Sequence, residues 1–367
     1  MFTPKFSQDS PSLSYKLEEI ERIKFRIERM LIMPKHEQWL RREAFIRTAY
    51  SSTMVENGTI PEQEMERIAK ASPAAEIPKN RPDVAYYGRA LEFVDFLSDF
   101  MDIDISHEAI VRQIHWLLMS GIHDTHIQPG TYRTVPNWIE HQGVKIYESP
   151  FHVDVPILMR DFSLWLGEHQ GIHPVLQAGI AHGHMIAIHP FVDGNGRAAR
   201  LLATLLLQRN GYGFRKLLSL DAYYQRNRDE YIQALGQSLG QRFSTDYDLT
   251  PWLDFFTKSI LMQAGFLEQR LTDWRIQVDE IHRDWVDSGL AERQIDGLIY
   301  AVNIGHITRK DYMEIANVSP LTATRDLQHL VKEELLTPQG AGRNRRYIFI
   351  RASGRGEERE EPQQKLL

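Results

Sequence analysis

The chain's capacity for chemistry is concentrated in one segment, His189-Pro190-Phe191-Val192-Asp193-Gly194-Asn195-Gly196-Arg197-Ala198-Ala199-Arg200. It joins a candidate base, a candidate metal carboxylate, a glycine-rich turn and two arginines. His189, with an ordinary pKa of about 6.5, can accept a proton near neutrality. Asp193 offers the hard oxygen that Mg²⁺ takes together with phosphates and water. The apolar run Leu201-Leu202-Ala203-Thr204-Leu205-Leu206-Leu207 reads as a buried helix, so Gly194, Asn195 and Gly196 fall where that helix begins. Free N–H groups and the helix dipole favour an anion there, and glycines let the backbone close around a phosphate. Arg197 and Arg200, three residues apart, share a helix face, and their forks suit phosphate oxygens. These are the parts needed to hold a nucleoside triphosphate and deprotonate its attacker. Each alone has a plainer use: an unrelated His and Asp, an ordinary Gly-Asn-Gly turn, a solvated arginine face. The weight lies in their coincidence.

The segment resembles the signature of the Fic family, His-x-Phe-x-(Asp/Glu)-Gly-Asn-Gly-Arg-x-x-Arg, at every fixed position. The resemblance covers roughly residues 15–350 and is densest at 130–235. It implies an enzyme that transfers a nucleoside monophosphate, usually AMP from ATP, to a protein Ser, Thr or Tyr hydroxyl, auto-modification included. It further implies His189 as base, Asp193 as Mg²⁺ ligand, Gly194, Asn195, Gly196 and Arg197 as the phosphate cradle, and Arg200 on the terminal phosphate. Upstream, Ser52, Glu56 and Asn57 fit the family's inhibitory pattern (Ser/Thr)-x-x-x-Glu-(Gly/Asn). By that likeness Glu56 pairs with Arg200 in place of the terminal phosphate, which misaligns the α-phosphate for in-line attack. Without the likeness, Glu56 is a surface carboxylate near a helix end. Trp138 and Ile139 resemble the family's target-docking flap, a strand edge that holds a substrate segment by backbone pairing; a plain surface hairpin is the other reading. Tyr231 resembles a tyrosine near the adenine and fits core packing equally well.

The elements that must position these residues are mostly helical. Apolar residues at helical spacing predict helices from about Leu17 to Met33, ended by Pro34, and from about Gln38 to Ser52, with residues 1–14 loose. Another opens at Ile60-Pro61-Glu62, and residues 71–82 read as a connector. Helices are expected at 83–101, 105–120, 151–168, 173–188, 195–210, 221–238 and 250–270, the last continuing to about 288. The β-formers of 130–147 around Gln142-Gly143 predict a hairpin.

The C-terminal part reads as helices at Ala291–Val302, about Arg309–Ala316 and Ser319–Lys332, with Ser319 as N-cap. Strands follow at 335–337 and 346–350. This resembles a winged helix-turn-helix with Thr322, Thr324, Arg325 and Gln328 exposed on the recognition helix and Arg343 and Arg345 in the wing. DNA is one partner for such a module. A protein is the other, and Asp326, Glu333 and Glu334 dilute the basic character.

The expected fold is mainly α: a Fic-type helical bundle core with a β-hairpin flap, plus the winged helix-turn-helix. The expected domains are 1–82 (N-terminal helical region with the inhibitory helix), 83–245 (catalytic core), 246–290 (linking helices), 291–352 (winged helix-turn-helix) and 353–367 (disordered tail).

Composition sets bounds. The 367 residues carry a net charge of −6, which gives no global pull toward nucleic acid or anionic membrane. There are no cysteines, so disulfides and thiolate chemistry are excluded. No signal pattern or membrane-length apolar run is read, and a cytoplasmic location is expected. The main expectation is a self-inhibited protein adenylyltransferase using ATP and Mg²⁺, with a homodimer as one arrangement. The alternatives are a DNA-binding regulator whose core senses nucleotide, or the same fold using another donor or removing AMP.

Overall fold

The structure is a computed structural model that describes residues 2–7, 10–32, 34–57, 81–121, 126–168, 171–285, 289–342 and 345–350. The helix expected at residues 60–62, most of the 71–82 connector, the wing residue Arg343 and the 353–367 tail lie outside them, as does the side chain of Asn57. The chain divides into two compact units, residues 1–271 and 272–367.

Unit 1 is helical around one core. Helix α1 (Pro11–Glu28) starts earlier than the apolar spacing predicted, because Ser10 caps it and Pro11 supplies the favoured first-turn residue. Among residues 1–14 the described ones are not loose: Phe2 stacks on His184 with ring centroids 3.4 Å apart, and the backbone of Lys5 forms a β-bridge with that of Asp248. Pro34 opens helix α2 (Pro34–Asn57) rather than closing α1. That helix runs past Ser52 and brings Glu56 into its last turn. Helices α3 (Pro82–Asp99) and α4 (Glu108–Met119) follow.

The hairpin is shorter than expected. Only β1 (Trp138–His141) and β2 (Val144–Glu148) pair, around a turn in which Gln142 and Gly143 both take positive φ. Residues 130–137 form a loop instead, because Arg133 is drawn inward to donate to three backbone carbonyls, those of His189, Val135 and Pro150.

Helices α5 (Val155–Glu168), α6 (Pro174–Ile188) and α7 (Asn195–Arg209) carry the functional loop between the last two. Helix α6 is buried along its whole length. Gly183 and Gly179 let the long helix α10 (Thr250–Trp285) lie against it, since a Cβ on Gly179 would sit 2.7 Å from Leu253. Trp252 then donates to the Gly179 carbonyl at 2.7 Å. The helix expected at 221–238 is two, α8 (Leu220–Arg226) and α9 (Arg228–Leu239), broken at Asn227 where ψ departs from helical values.

Unit 2 holds α11 (Glu292–Ile304), β3 (Ile307–Thr308), α12 (Arg309–Ala316), α13 (Pro320–Lys332), β4 (Leu336–Gln339) and β5 (Arg346–Phe349). The three strands form one antiparallel sheet in the order β3-β5-β4; strand β3 was not anticipated. Ser319 caps α13, and Thr308 with Asp311 forms a capping box on α12. Asp326 does not face solvent: it is buried and paired with Arg293 at 2.7 Å and with the Tyr312 hydroxyl at 3.1 Å. Arg325 and Gln328 are exposed, whereas Thr322 and Thr324 are half-buried.

Candidate functional site

The loop between α6 and α7 is held by polar contacts that leave it little freedom. His189 ends α6 in the left-handed region, with φ 50° and ψ 57°. Gly194 takes φ 77° just before α7, a conformation that suits a residue without a Cβ. Asn195 closes the turn on itself: its Oδ1 accepts from Phe191 N at 2.8 Å and its Nδ2 donates to Phe191 O at 2.9 Å. Phe191 is fully buried and stacks on His115, ring centroids 3.7 Å apart. The Gly130 N–H donates to His115 Nδ1, so His115 Nε2 carries the proton and donates to Asp193 O at 2.9 Å.

His189 is held in one tautomer. Its Nδ1 lies 3.3 Å from Ile186 O. A carbonyl can only accept, so Nδ1 holds the proton and Nε2 keeps the lone pair. Burial pulls the His189 pKa down to about 4, partly opposed by the Ile186 carbonyl. The ring is therefore neutral at physiological pH.

The two arginines meet a carboxylate at the head of α7. Glu56 Oε1 accepts from Arg200 Nη2 at 3.0 Å. Its Oε2 lies 2.9 Å from Arg197 Nε, a close ion contact whose N–H is not aligned as a hydrogen bond. The carboxylate sits directly over Gly196, where an added Cβ would collide with Oε1. Burial pushes the Glu56 carboxyl up, but Arg197 and Arg200 together pull it below its ordinary value. Ser52 completes the grip: its Oγ accepts from Arg200 Nε at 2.9 Å and its carbonyl from Nη2 at 3.0 Å. The two arginines at the head of α7 thus take an oxyanion, the Glu56 carboxylate, between them.

The expected residues do not all converge equally. Asp193 accepts from Gly194 N at 2.6 Å and contacts Arg197 at 3.2 Å, with half its side chain exposed. Among the described residues no group of three or more His, Asp or Glu side chains could hold a metal unaided. Asp193 suits an ion that draws its remaining ligands from a substrate's phosphates and water. Tyr231 lies in an aromatic cluster with Tyr224 and Trp252, its hydroxyl 3.3 Å from His182 Nε2. Trp138 is half exposed, Ile139 less so, and both lie on β1, which among the described residues pairs only with β2. Asn57 is the last residue of α2.

Three contributors were not anticipated. Asp221 on α8 lies 3.0 Å from Arg200 Nε. Arg133 donates to the His189 carbonyl at 2.9 Å. Asn137 donates to the carbonyls of Phe191 and Val192 at 2.9 and 3.1 Å, tying the hairpin's base to the loop. Only Asp221 left a trace in the sequence, as a lone acid inside the run Leu217-Leu218-Ser219-Leu220-Asp221-Ala222.

Residues 104–207 match the model of the Fic/DOC family. The chain is 31% identical over 176 residues to the protein adenylyltransferase Fic of Drosophila melanogaster, a match covering 47% of this chain and 34% of that one. A shorter stretch of 61 residues is 52% identical to the protein of the same name from Drosophila mojavensis, over 16% and 12% of the two chains. At best, then, the match spans about a third of these relatives' length. The fold is similar to that of a Fic family protein from Desulfovibrio desulfuricans, with a TM-score of 0.61 at 24% identity over 97% of this chain and 100% of that one. It is also similar to a Fic domain-containing signalling protein from Bacteroides thetaiotaomicron, with a TM-score of 0.56 at 17% identity over 71% and 98%.

Proposed function

With a Fic/DOC-family domain at residues 104–207 as the premise, we propose that the protein is an adenylyltransferase that restrains itself. It moves AMP from ATP onto a protein hydroxyl, and Glu56 holds the site closed. The observation that carries this reading is the Glu56 carboxylate lodged between Arg197 and Arg200 over Gly196.

The triphosphate lies along the N-terminus of α7, cradled by Gly194, Asn195, Gly196 and Arg197, with Arg200 on its terminal phosphate. His189 Nε2 takes the proton of a Ser, Thr or Tyr hydroxyl. That oxygen forms a bond to the α-phosphorus while the bond to pyrophosphate breaks in line. Arg197 and Arg200 offset the charge that develops on the phosphates. Asp193 would hold Mg²⁺, which when bound neutralises phosphate charge. The open edge of β1, with Trp138 and Ile139, pairs with the target segment and sets its register. While Glu56 sits on the arginines, ATP cannot settle with its α-phosphate in line.

In unit 2 we read a winged helix whose α13 presents Arg325 and Gln328 to a partner. Exposed Arg and Gln on a capped helix suit DNA.

Labelled ATP and Mg²⁺ test the main reading. Glu56→Gly raises auto-modification by about tenfold or more, as loss of a closing contact shifts the population. His189→Ala added to it lowers transfer by about 10²–10⁴-fold. Undiminished labelling in the His189→Ala protein would overturn the mechanism.

A further inference from the structure

The arginine site holds a second carboxylate with no part in the reading above. Asp221 is 1% exposed, in the first turn of α8, with Oδ1 3.0 Å from Arg200 Nε and 3.4 Å from the Tyr87 hydroxyl. Arg200 therefore meets two carboxylates, Asp221 at Nε and Glu56 at Nη2. They differ in their freedom to leave. The Asp221 side chain is 2% exposed, and the adjoining Ser219 is fixed to Thr48 of α2 by a buried hydroxyl pair at 2.9 Å. The Glu56 side chain is 24% exposed and stands in the last turn of its helix.

We propose that Asp221 is the fixed counter-ion of Arg200 and sets how tightly Glu56 closes the site. It is a positioning residue, acting through Arg200 without touching the reacting atoms. The inference rests on the self-restraint proposed above.

A buried guanidinium stripped of its anion is costly. With Asp221 in place, Arg200 stays neutralised when Glu56 departs, so opening requires no stranded charge. Neutralising Asp221 removes that support. Arg200 then holds any remaining anion more strongly, whether the Glu56 carboxylate or a triphosphate. Glu56 is tethered and always present, so in the intact protein the closed state gains more.

The consequence is a change of sign between two backgrounds. In the protein with Glu56, Asp221→Asn lowers labelling from ATP by about tenfold. In the Glu56→Gly protein, the same substitution lowers the KM for ATP, because a less compensated Arg200 binds the triphosphate more tightly. A residue that only packed α8 would, when changed, reduce labelling equally in both backgrounds and raise the KM. The four proteins (parent, each single variant and the double) are assayed with labelled ATP, and melting temperatures confirm that each is folded. If Asp221→Asn does not fold, Asp221→Ser, neutral and smaller, takes its place. Equal losses in both backgrounds, an unchanged parent activity, or a KM that stays level or rises with Glu56 absent overturns the proposal. Failure of Glu56→Gly itself to raise labelling instead overturns the self-restraint on which it rests.

Discussion

Glu56 and Gly196 make one contact do two jobs, and a single methyl group separates them. The carboxylate as placed lies where a Cβ on Gly196 would crowd its Oε1. Gly196→Ala therefore forces the end of the Glu56 side chain to shift on the arginines, and it also fills the space proposed for the phosphate. Labelling from ATP is expected to stay at or below the parent level, in contrast with the roughly tenfold rise for Glu56→Gly. A rise in the Gly196→Ala protein would show that the phosphates do not lie over that residue. The two positions also mark what was legible in the sequence. His189, Asp193 and Gly194 to Arg200 sit within one local segment, so their coincidence was visible in the sequence, and the roles proposed for them came with the family resemblance. Asp221 reaches this site from α8, and Arg133 and Asn137 reach it from the one loop before β1. Their arrival depends on tertiary packing, of which the sequence carries at most the lone acid of Asp221. The second partner of Glu56, Arg197, was likewise unforeseen, although it stands three residues from the first.

Helices and strands were legible where apolar periodicity was strong and least legible where polar side chains were buried. Helix α2 was expected to end near Ser52, and Ser51-Ser52-Thr53 is indeed poor helix-forming sequence. All three residues are nevertheless buried, Thr53 Oγ1 donates to Tyr50 O, and Arg200 clasps Ser52. Tertiary contacts thus carry the helix one turn further, to Glu56. The hairpin was found from its turn but overextended toward residue 130, since the β-formers Thr131, Tyr132 and Val135 surround an inward Arg133. Its true anchor is Asn137, whose Nδ2 spans the carbonyls of Phe191 and Val192 and whose Oδ1 accepts from Trp138 N at 2.8 Å. Asn137→Ala severs all three bonds and loosens β1 on the loop, while Arg133 still donates to the His189 carbonyl. Transfer to a protein target should fall by about tenfold or more, because a register error of this kind acts on alignment. Nucleotide affinity, measured with a fluorescent ATP analogue, should change by less than about twofold, within the scatter expected of a residue that makes no phosphate contact. Equal losses in both measurements would remove the hairpin from target docking.

At the scale of the whole molecule, the core of unit 1 holds several histidines in and beside one helix. His182 and His184 lie within α6, His189 ends it, and His115 stacks on Phe191 of the adjoining loop. Burial drives every one of these pKa values down: His115 and His189 to about 4, His184 to about 3, and His182 well below its ordinary value. Unfolded, each would take up a proton near pH 6.5. Between pH 6.5 and 4 the unfolded chain therefore binds more protons than the native one, so stability must fall as pH drops through that window. Each histidine contributes about 1.4 kcal/mol per pH unit once its unfolded form is protonated. Asp95 and Asp221, whose carboxyls burial raises, act in the opposite sense, and only as they take up protons in the native state. The depressed Glu56 adds to the loss below its unfolded pKa. The melting temperature should therefore decline steeply from pH 6.5 to 5 and little between 8 and 7. His115→Gln, which offers no proton site, should make that decline shallower even if it lowers the melting temperature at pH 7.5. A melting temperature that stayed level down to pH 5 would mean that these rings are not buried neutral.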